Sequence, residues 1–228
     1  MRIGIIGAGN IGGTLARRLT ALGHEVSIAN SRGPQTLSVL AKETGAKPVT
    51  VEEAARGGEV VIVTIPENRI PQLPAGLFDG VPADVVVVDT GNYYPQRDGR
   101  IDAIENGTTE SRWVSNQLRR PAVKAFNNIY ARHLLDSGKP KGTRERVALP
   151  IAADDQHAKD VVMQLVDQLG FDPVDAGSLD DSWRQQPGTP VYGTDRDAAG
   201  VRRALADAKR ERPAGFRAGG TQPKDGNR

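Results

Sequence analysis

Three glycines, Gly7, Gly9 and Gly12, follow the apolar run Ile3-Gly4-Ile5-Ile6 and open a helical pattern. A glycine at 7 permits a tight strand-to-helix turn. One at 9 lets backbone approach a pyrophosphate, and one at 12 lets helix and strand pack closely. The helix start at Asn10 and Ile11 then offers unpaired N–H groups and the positive end of the helix dipole to phosphate. That chemistry is dinucleotide binding; a glycine-rich turn without a ligand is the plainer reading of the same residues. The next strand end selects the dinucleotide. An NAD site places Asp or Glu there, whereas this chain has Asn30-Ser31-Arg32. Ser31 donates a hydrogen bond and Arg32 a charged planar fork, so the pattern favours NADP(H). A solvated turn arginine is the competing reading of Arg32.

Doubly wound sheets place ligands at the carboxyl ends of their strands. There the sequence has Ile65-Pro66, then Thr90-Gly91-Asn92, then Ala125-Phe126-Asn127. Ile65 and Pro66 are expected to wall the cofactor. Thr90 and Asn92 are suited to hydrogen-bond a ribose or carboxamide while Gly91 admits the ring. Ala125 and Asn127 complete the set, Asn127 as the reader of the carboxamide. Each has an ordinary alternative in turn chemistry or core packing, Phe126 included. Farther on, Trp183, Arg184, Gln185 and Tyr192 sit in a broken, proline-containing loop. An aromatic plate beside amides and a guanidinium suits a planar, partly anionic acceptor; a tryptophan plugging the loop onto the core is the alternative. No Ser-His-Asp set, Tyr-x-x-x-Lys or paired carboxylate identifies a catalytic residue. Tyr192 and His133 are the candidates for a proton donor. His24, Lys124, Arg17, Arg18 and the Arg202-Arg203 pair read as structural or solvated.

The elements that must position these residues alternate. Strands are expected at 2–6, 25–30, 47–50, 59–65, 84–89, 122–126, 146–152 and 171–175. Helices are expected at 11–22, 36–44, 51–56, 109–119, 130–137 and 155–169. The unbroken runs Val60-Val61-Ile62-Val63 and Val85-Val86-Val87-Val88 suit strands covered on both faces. The rhythm predicts an α/β, Rossmann-type, doubly wound and mostly parallel sheet with a small C-terminal extension. Residues 1–178 form the expected NADP-binding domain, 179–211 a substrate-covering loop and a helix over 195–211 capped by Thr194 or Asp195, and 212–228 a disordered tail.

Composition narrows the classes. Of 228 residues none is cysteine, which removes disulfides, thiolate metal sites and thiol catalysis. Three histidines without metal-ligand spacing argue against a metal site. Aromatics at 4% and a net charge of +2 argue against nucleic-acid binding. Apolar runs are too short for a bilayer, and no signal peptide precedes the first strand, so a cytoplasmic location is expected.

The chain resembles the NADPH:coenzyme F420 oxidoreductase family across roughly residues 1–178. The resemblance rests on Ile5 to Gly12, Asn30-Ser31-Arg32, Val60 to Pro66, Val87 to Asn92, Lys124-Ala125-Phe126-Asn127-Asn128, and Gly170-Phe171-Asp172 through Asp175-Ala176-Gly177-Ser178-Leu179. It implies an NADP fold with nicotinamide lying across the ends of strands four to six. Coenzyme F420 would be the second substrate, in a cleft closed by the C-terminal part, and the assembly a homodimer. Three functions stay open: hydride transfer between NADP(H) and a planar acceptor such as coenzyme F420, NADPH-dependent imine or carbonyl reduction, and a non-catalytic NADP-binding sensor or interaction protein.

Overall fold

A computed structural model of the chain describes residues 1–220. Six parallel strands form the main sheet: β1 (Arg2–Ile6), β2 (Glu25–Ala29), β3 (Lys47–Pro48), β4 (Val60–Val63), β5 (Val86–Asp89) and β6 (Ala122–Lys124), in the order β3-β2-β1-β4-β5-β6. β1 pairs Ile3 with Val26 on one side and with Val60 on the other, so chain direction across the sheet reverses between β1 and β4. The expected Rossmann-type fold is the observed one.

Successive side chains of a strand point to opposite faces, which explains the unbroken apolar runs. Ile3, Ile5, Ile62, Val86, Val88 and Val123 face α1 (Asn10–Ala21), α7 (Ala131–Asp136) and α8 (Gln156–Gln168). Ile6, Val61, Val63 and Val87 face the opposite layer, which includes α3 (Val51–Gly57) and α6 (Glu110–Leu118). α3 begins with a reciprocal cap: Glu53 N donates to Thr50 Oγ1 at 3.2 Å, and Thr50 N to Glu53 Oε2 at 2.8 Å. The remaining helices of the main layers are α2 (Ser38–Thr44) and the short α4 (Pro95–Asp98) and α5 (Asp102–Glu105).

Beyond β6 the direction changes. Lys124 and Ala152 exchange backbone bonds of 2.8 and 3.1 Å as an antiparallel bridge. It attaches a parallel pair, β7 (Ala148–Ile151) and β8 (Asp172–Asp175), connected through α8. α9 (Ala198–Ala206) packs Val201, Ala204 and Leu205 against Ala148 and Val174 of that pair.

Several expectations shift. The helix expected over 195–211 is shorter, and its cap is Asp197, whose carboxylate accepts from Gly200 N at 2.7 Å. The loop from 179 contains a 3-10 helix, Leu179–Gln185, started by Ser178 and Asp181. The expected disordered tail does not hold for residues 212–220. Phe216 is 5% exposed, Arg212 reaches Glu110 at 2.7 Å, and Gln96 donates to the carbonyls of Gly215 and Gly220. The rest of that tail, 221–228, lies outside the described residues. Arg18 is not on a solvated face, because it donates to the carbonyls of Leu134, Leu135 and Leu169 at 3.0, 2.7 and 2.6 Å. Among the described residues no helix is long and apolar enough to cross a membrane.

Arg146 ties the outer strand pair together. Its side chain, 2% exposed, bonds Asp167 and Asp172 at 2.7 and 2.6 Å and the carbonyls of Lys139, Gly170 and Asp167. Hydrogen bonding to Arg146 holds the Asp167 carboxyl below its ordinary range. A depressed carboxylate stabilises the fold above its unfolded pKa, and that contribution is lost as pH falls through the folded value. Arg146→Met is expected to lower unfolding free energy by about 3 kcal/mol at neutral pH. The deficit should shrink on acidification; chemical denaturation at several pH values checks both.

Candidate functional site

Gly7 has φ +118°, and a Cβ there would lie 2.2 Å from the Thr64 carbonyl oxygen. A Cβ on Gly12 would lie 1.9 Å from the Gly7 carbonyl oxygen. Both glycines are therefore demanded by the packing of β1, α1 and the end of β4. Gly9 differs: nothing lies within 4 Å of its would-be Cβ, so open space faces it. Gly9 is also the N-cap of α1 and brings no side-chain hydrogen bond. The uncapped first turn at Asn10 and Ile11 borders the open space, the arrangement that receives an anion.

Two clefts meet at this turn. The larger, about 820 Å³, runs from Gly7 and Gly9 past Asn30, Ser31 and Arg32 to Arg69 and Leu73, with Ile65 and Pro66 in its wall. Asn30 shapes its rim by accepting from Arg32 N at 2.9 Å and donating to Thr36 Oγ1 at 2.9 Å. Asn30 thus orients the turn, leaving Ser31 and Arg32 exposed at the cleft. Arg69, which the sequence analysis passed over, adds a second cation; Glu52 stands in the same lining. The signal for Arg69 was its place three residues beyond Pro66, at a strand end already singled out.

The second cleft, about 440 Å³, shares Gly9, Thr64, Ile65 and Pro66 with the first. Asn10, Ile11, Thr90, Asn92, Phe126, Asn127, Tyr94, Arg97, Tyr130 and Tyr192 complete its walls. Phe126, 1% exposed, has φ +60°, a left-handed conformation that costs a non-glycine residue free energy and that the surrounding packing must hold. The hydroxyls of Tyr94 and Tyr192 are hydrogen-bonded to each other, and the Arg97 guanidinium lies 5.0 Å from the Tyr94 ring centre. Tyr94, Arg97 and Tyr130 were missed, although Tyr94 stands two residues beyond Asn92.

Some expected contacts fall elsewhere. Asn127 has its amide committed: Nδ2 donates to Asn92 Oδ1 and the Gln185 carbonyl at 3.0 and 2.7 Å, and Oδ1 accepts from Gln185 Nε2 at 3.0 Å. It braces the cleft wall rather than extending a free amide, and Gln185 is its buried partner, not a surface ligand. Ala125 belongs to the core beneath the sheet. Gly91 is small for another reason than admitting a ring, since a Cβ there would meet Glu67 Oε1 at 2.6 Å. Trp183 lines a separate cavity with Arg210, Arg212 and Arg217, and Arg184 stacks 5.5 Å from its ring centre. Of the four loop residues, Tyr192 alone lines the cleft at the strand ends. His133 Nδ1 lies 2.6 Å from Asp195, and His24 bonds Gln168 near the amino ends of the strands.

Behind the second cleft lies a buried charge cluster. Lys124, 0% exposed, reaches Asp89 at 3.1 Å and donates to the Gly91 carbonyl at 2.5 Å. Asp89 also accepts from Ser111 Oγ at 2.6 Å and from Gly91 N at 2.8 Å. Glu67 is fully buried, and neither of its oxygens has a hydrogen-bond partner. Burial, then the nearby Asp89 charge, pushes its carboxyl well above the ordinary range. The two buried groups predict opposite mutational outcomes. Lys124→Met strands the Asp89 charge and is expected to cost about 3–5 kcal/mol. With its folded-state pKa above the unfolded value near 4.5, Glu67 holds its proton more tightly in the folded chain, so its presence lowers stability as pH rises. Glu67→Gln should therefore raise the melting temperature at pH 8 and change it little at pH 4; calorimetry across that range checks it.

Residues 2–93 match the family model described as NADP oxidoreductase, coenzyme F420-dependent. The Escherichia coli protein YjhV is 49% identical over 92 residues, covering 40% of this chain, which spans 60% of that protein's length. The solved structure of hypothetical protein SMa0349 from Sinorhizobium meliloti superimposes with a TM-score of 0.73 at 32% identity, over 86% of this chain and 95% of that one. A structure from Arthrobacter sp. FB24, described as a candidate F420-dependent NADP reductase, shares the fold with a TM-score of 0.60 at 22% identity, over 77% of this chain and 84% of that one. With the glycine turn and parallel sheet already in place, the match places residues 2–93 in the family described as NADP oxidoreductase, coenzyme F420-dependent, and the Sinorhizobium structure extends the likeness over most of the chain.

Proposed function

We propose that the chain transfers a hydride between NADP(H) and a small planar acceptor, with coenzyme F420 the first acceptor to test. The observation that carries this reading is the continuity of the two clefts through Gly9 and the uncapped start of α1. The open space at Gly9 and the free first-turn N–H groups fit a pyrophosphate. The larger cleft takes the adenosine half, with Ser31 and Arg32 at the 2′-phosphate and Arg69 nearby. The smaller takes the nicotinamide, against Thr90 and Asn92, and the acceptor beside it. When bound, NADPH supplies the hydride. The chain's own work is to align two rings and shield them from water. Phe126, Ile129 and Pro66 give that cleft apolar wall, Thr90 offers a hydroxyl for orientation, and Asn92, held through both amide atoms by Asn127, fixes the wall beside it. Coenzyme F420 enters as a candidate because the family description and that of the Arthrobacter protein name it.

Arg32→Ala tests the cofactor assignment. Losing a charge-assisted phosphate contact of about 1.5–3 kcal/mol should raise the NADPH dissociation constant roughly ten- to a hundredfold. NADH affinity should barely change. Equal losses for the two cofactors would show Arg32 to be structural. NADPH oxidation in the presence of coenzyme F420, followed by nicotinamide absorbance, tests the acceptor.

A further inference from the structure

Reduction of a conjugated C=N or C=O group needs a proton as well as a hydride. Asp89, Lys124 and Glu67 are sealed beneath the cleft, and His133 is paired with Asp195. Thr64 and Thr90 bring aliphatic hydroxyls to the cleft, but the phenolic, more acidic ones belong to tyrosines. Tyr192 is half-buried and lines the space; its hydroxyl meets that of the more deeply set Tyr94. Arg97 lies 5.0 Å from the Tyr94 ring centre and is itself fixed by Asp98, at 2.8 and 2.7 Å, and by the Asn92 carbonyl at 2.6 Å. Phe216 closes the far side, with ring centres 6.3 Å apart.

We propose that Tyr192, backed by Tyr94 and Arg97, is the proton donor to an acceptor carrying a conjugated ring nitrogen or carbonyl oxygen. The proposal rests on the hydride-transfer reading above. In the step, bound NADPH would supply a hydride to the acceptor's electrophilic carbon, and the displaced π electrons would move, directly or through the conjugated system, to the heteroatom X. The Tyr192 O–H bond breaks and an X–H bond forms. Tyr94 donates its hydrogen bond to the phenolate so produced, and solvent restores the proton. The sum is acceptor plus NADPH plus one proton giving reduced acceptor plus NADP⁺. Arg97, held by Asp98, keeps its guanidinium over the Tyr94 ring and so fixes the orientation of the pair. Two acceptor types share this chemistry, a deazaflavin such as coenzyme F420 and a conjugated cyclic imine such as 3,4-dihydroisoquinoline.

The test uses the full chain as wild type, Tyr192→Phe and Tyr94→Phe, with those two compounds as probes. Tyr192→Phe should lower turnover at least a hundredfold with whichever probe the wild type reduces. Its melting temperature and its NADPH dissociation constant, read by nicotinamide fluorescence, should stay within twofold and a few degrees of wild type. Tyr94→Phe should lose less. A readout free of turnover is the phenolate absorbance on adding NADP⁺, whose cationic ring beside the pair favours the ionised hydroxyl. Wild type should show the rise and Tyr192→Phe should not. Retained turnover in Tyr192→Phe, or no phenolate signal in wild type, overturns the proton-donor role. Wild type that binds NADPH yet reduces neither probe counts instead against the hydride-transfer reading, and the phenolate signal then decides the tyrosine pair alone.

Discussion

The buried Lys124–Asp89 ion pair connects the end of β5, the end of β6 and α6 at one point. Two charges without access to water persist only when their remaining hydrogen-bonding capacity is used. Here Gly91 supplies both a carbonyl and an N–H, and Ser111 a hydroxyl. The Thr90–Asn92 turn is thereby set from below, and the same strand end carries the bridge to β7 through Lys124 and Ala152. The floor of the smaller cleft and the attachment of the C-terminal strands depend on one interaction. Glu67 sets its buried carboxyl against Gly91, which is why that position admits no side chain.

Above this floor the cleft follows from topology. Strand order reverses between β1 and β4, so the turns after those strands diverge and leave a crevice at their carboxyl ends. Gly7 and Thr64 close its base by direct contact, while Gly9 leaves its mouth open. The C-terminal part then walls one side. Gln185 braces Asn127 and Asn92, Tyr192 meets Tyr94, and Phe216 packs behind Tyr94. The segment after 178 therefore builds one wall of the smaller cleft.

Much of this was legible in sequence because its causes are local. Glycines at 7, 9 and 12 follow from a tight turn, and unbroken valine runs follow from burial on both sheet faces. The eight strands lie at the expected places, β1 with its expected bounds and the others trimmed by one or two residues at an end where pairing stops. Long-range causes were not legible. Nothing near Gly91 in the chain announces the Glu67 side chain beneath it, and nothing near Asn127 announces Gln185. Trp183 looked like a ligand plate because of its neighbours in sequence. Its neighbours in space are Arg210, Arg212 and Arg217, on a segment whose sparse apolar content concealed its apolar anchor, Phe216.

The central claim is that one dinucleotide spans both clefts across the start of α1. A crystal structure of the chain with NADP⁺ tests it most directly. Pyrophosphate is expected against the N–H groups of Asn10 and Ile11, the 2′-phosphate at Ser31 and Arg32, and the nicotinamide ring between Thr90 and Tyr192. A dinucleotide in the reverse orientation, or one held at the opposite strand ends near His24, would contradict it.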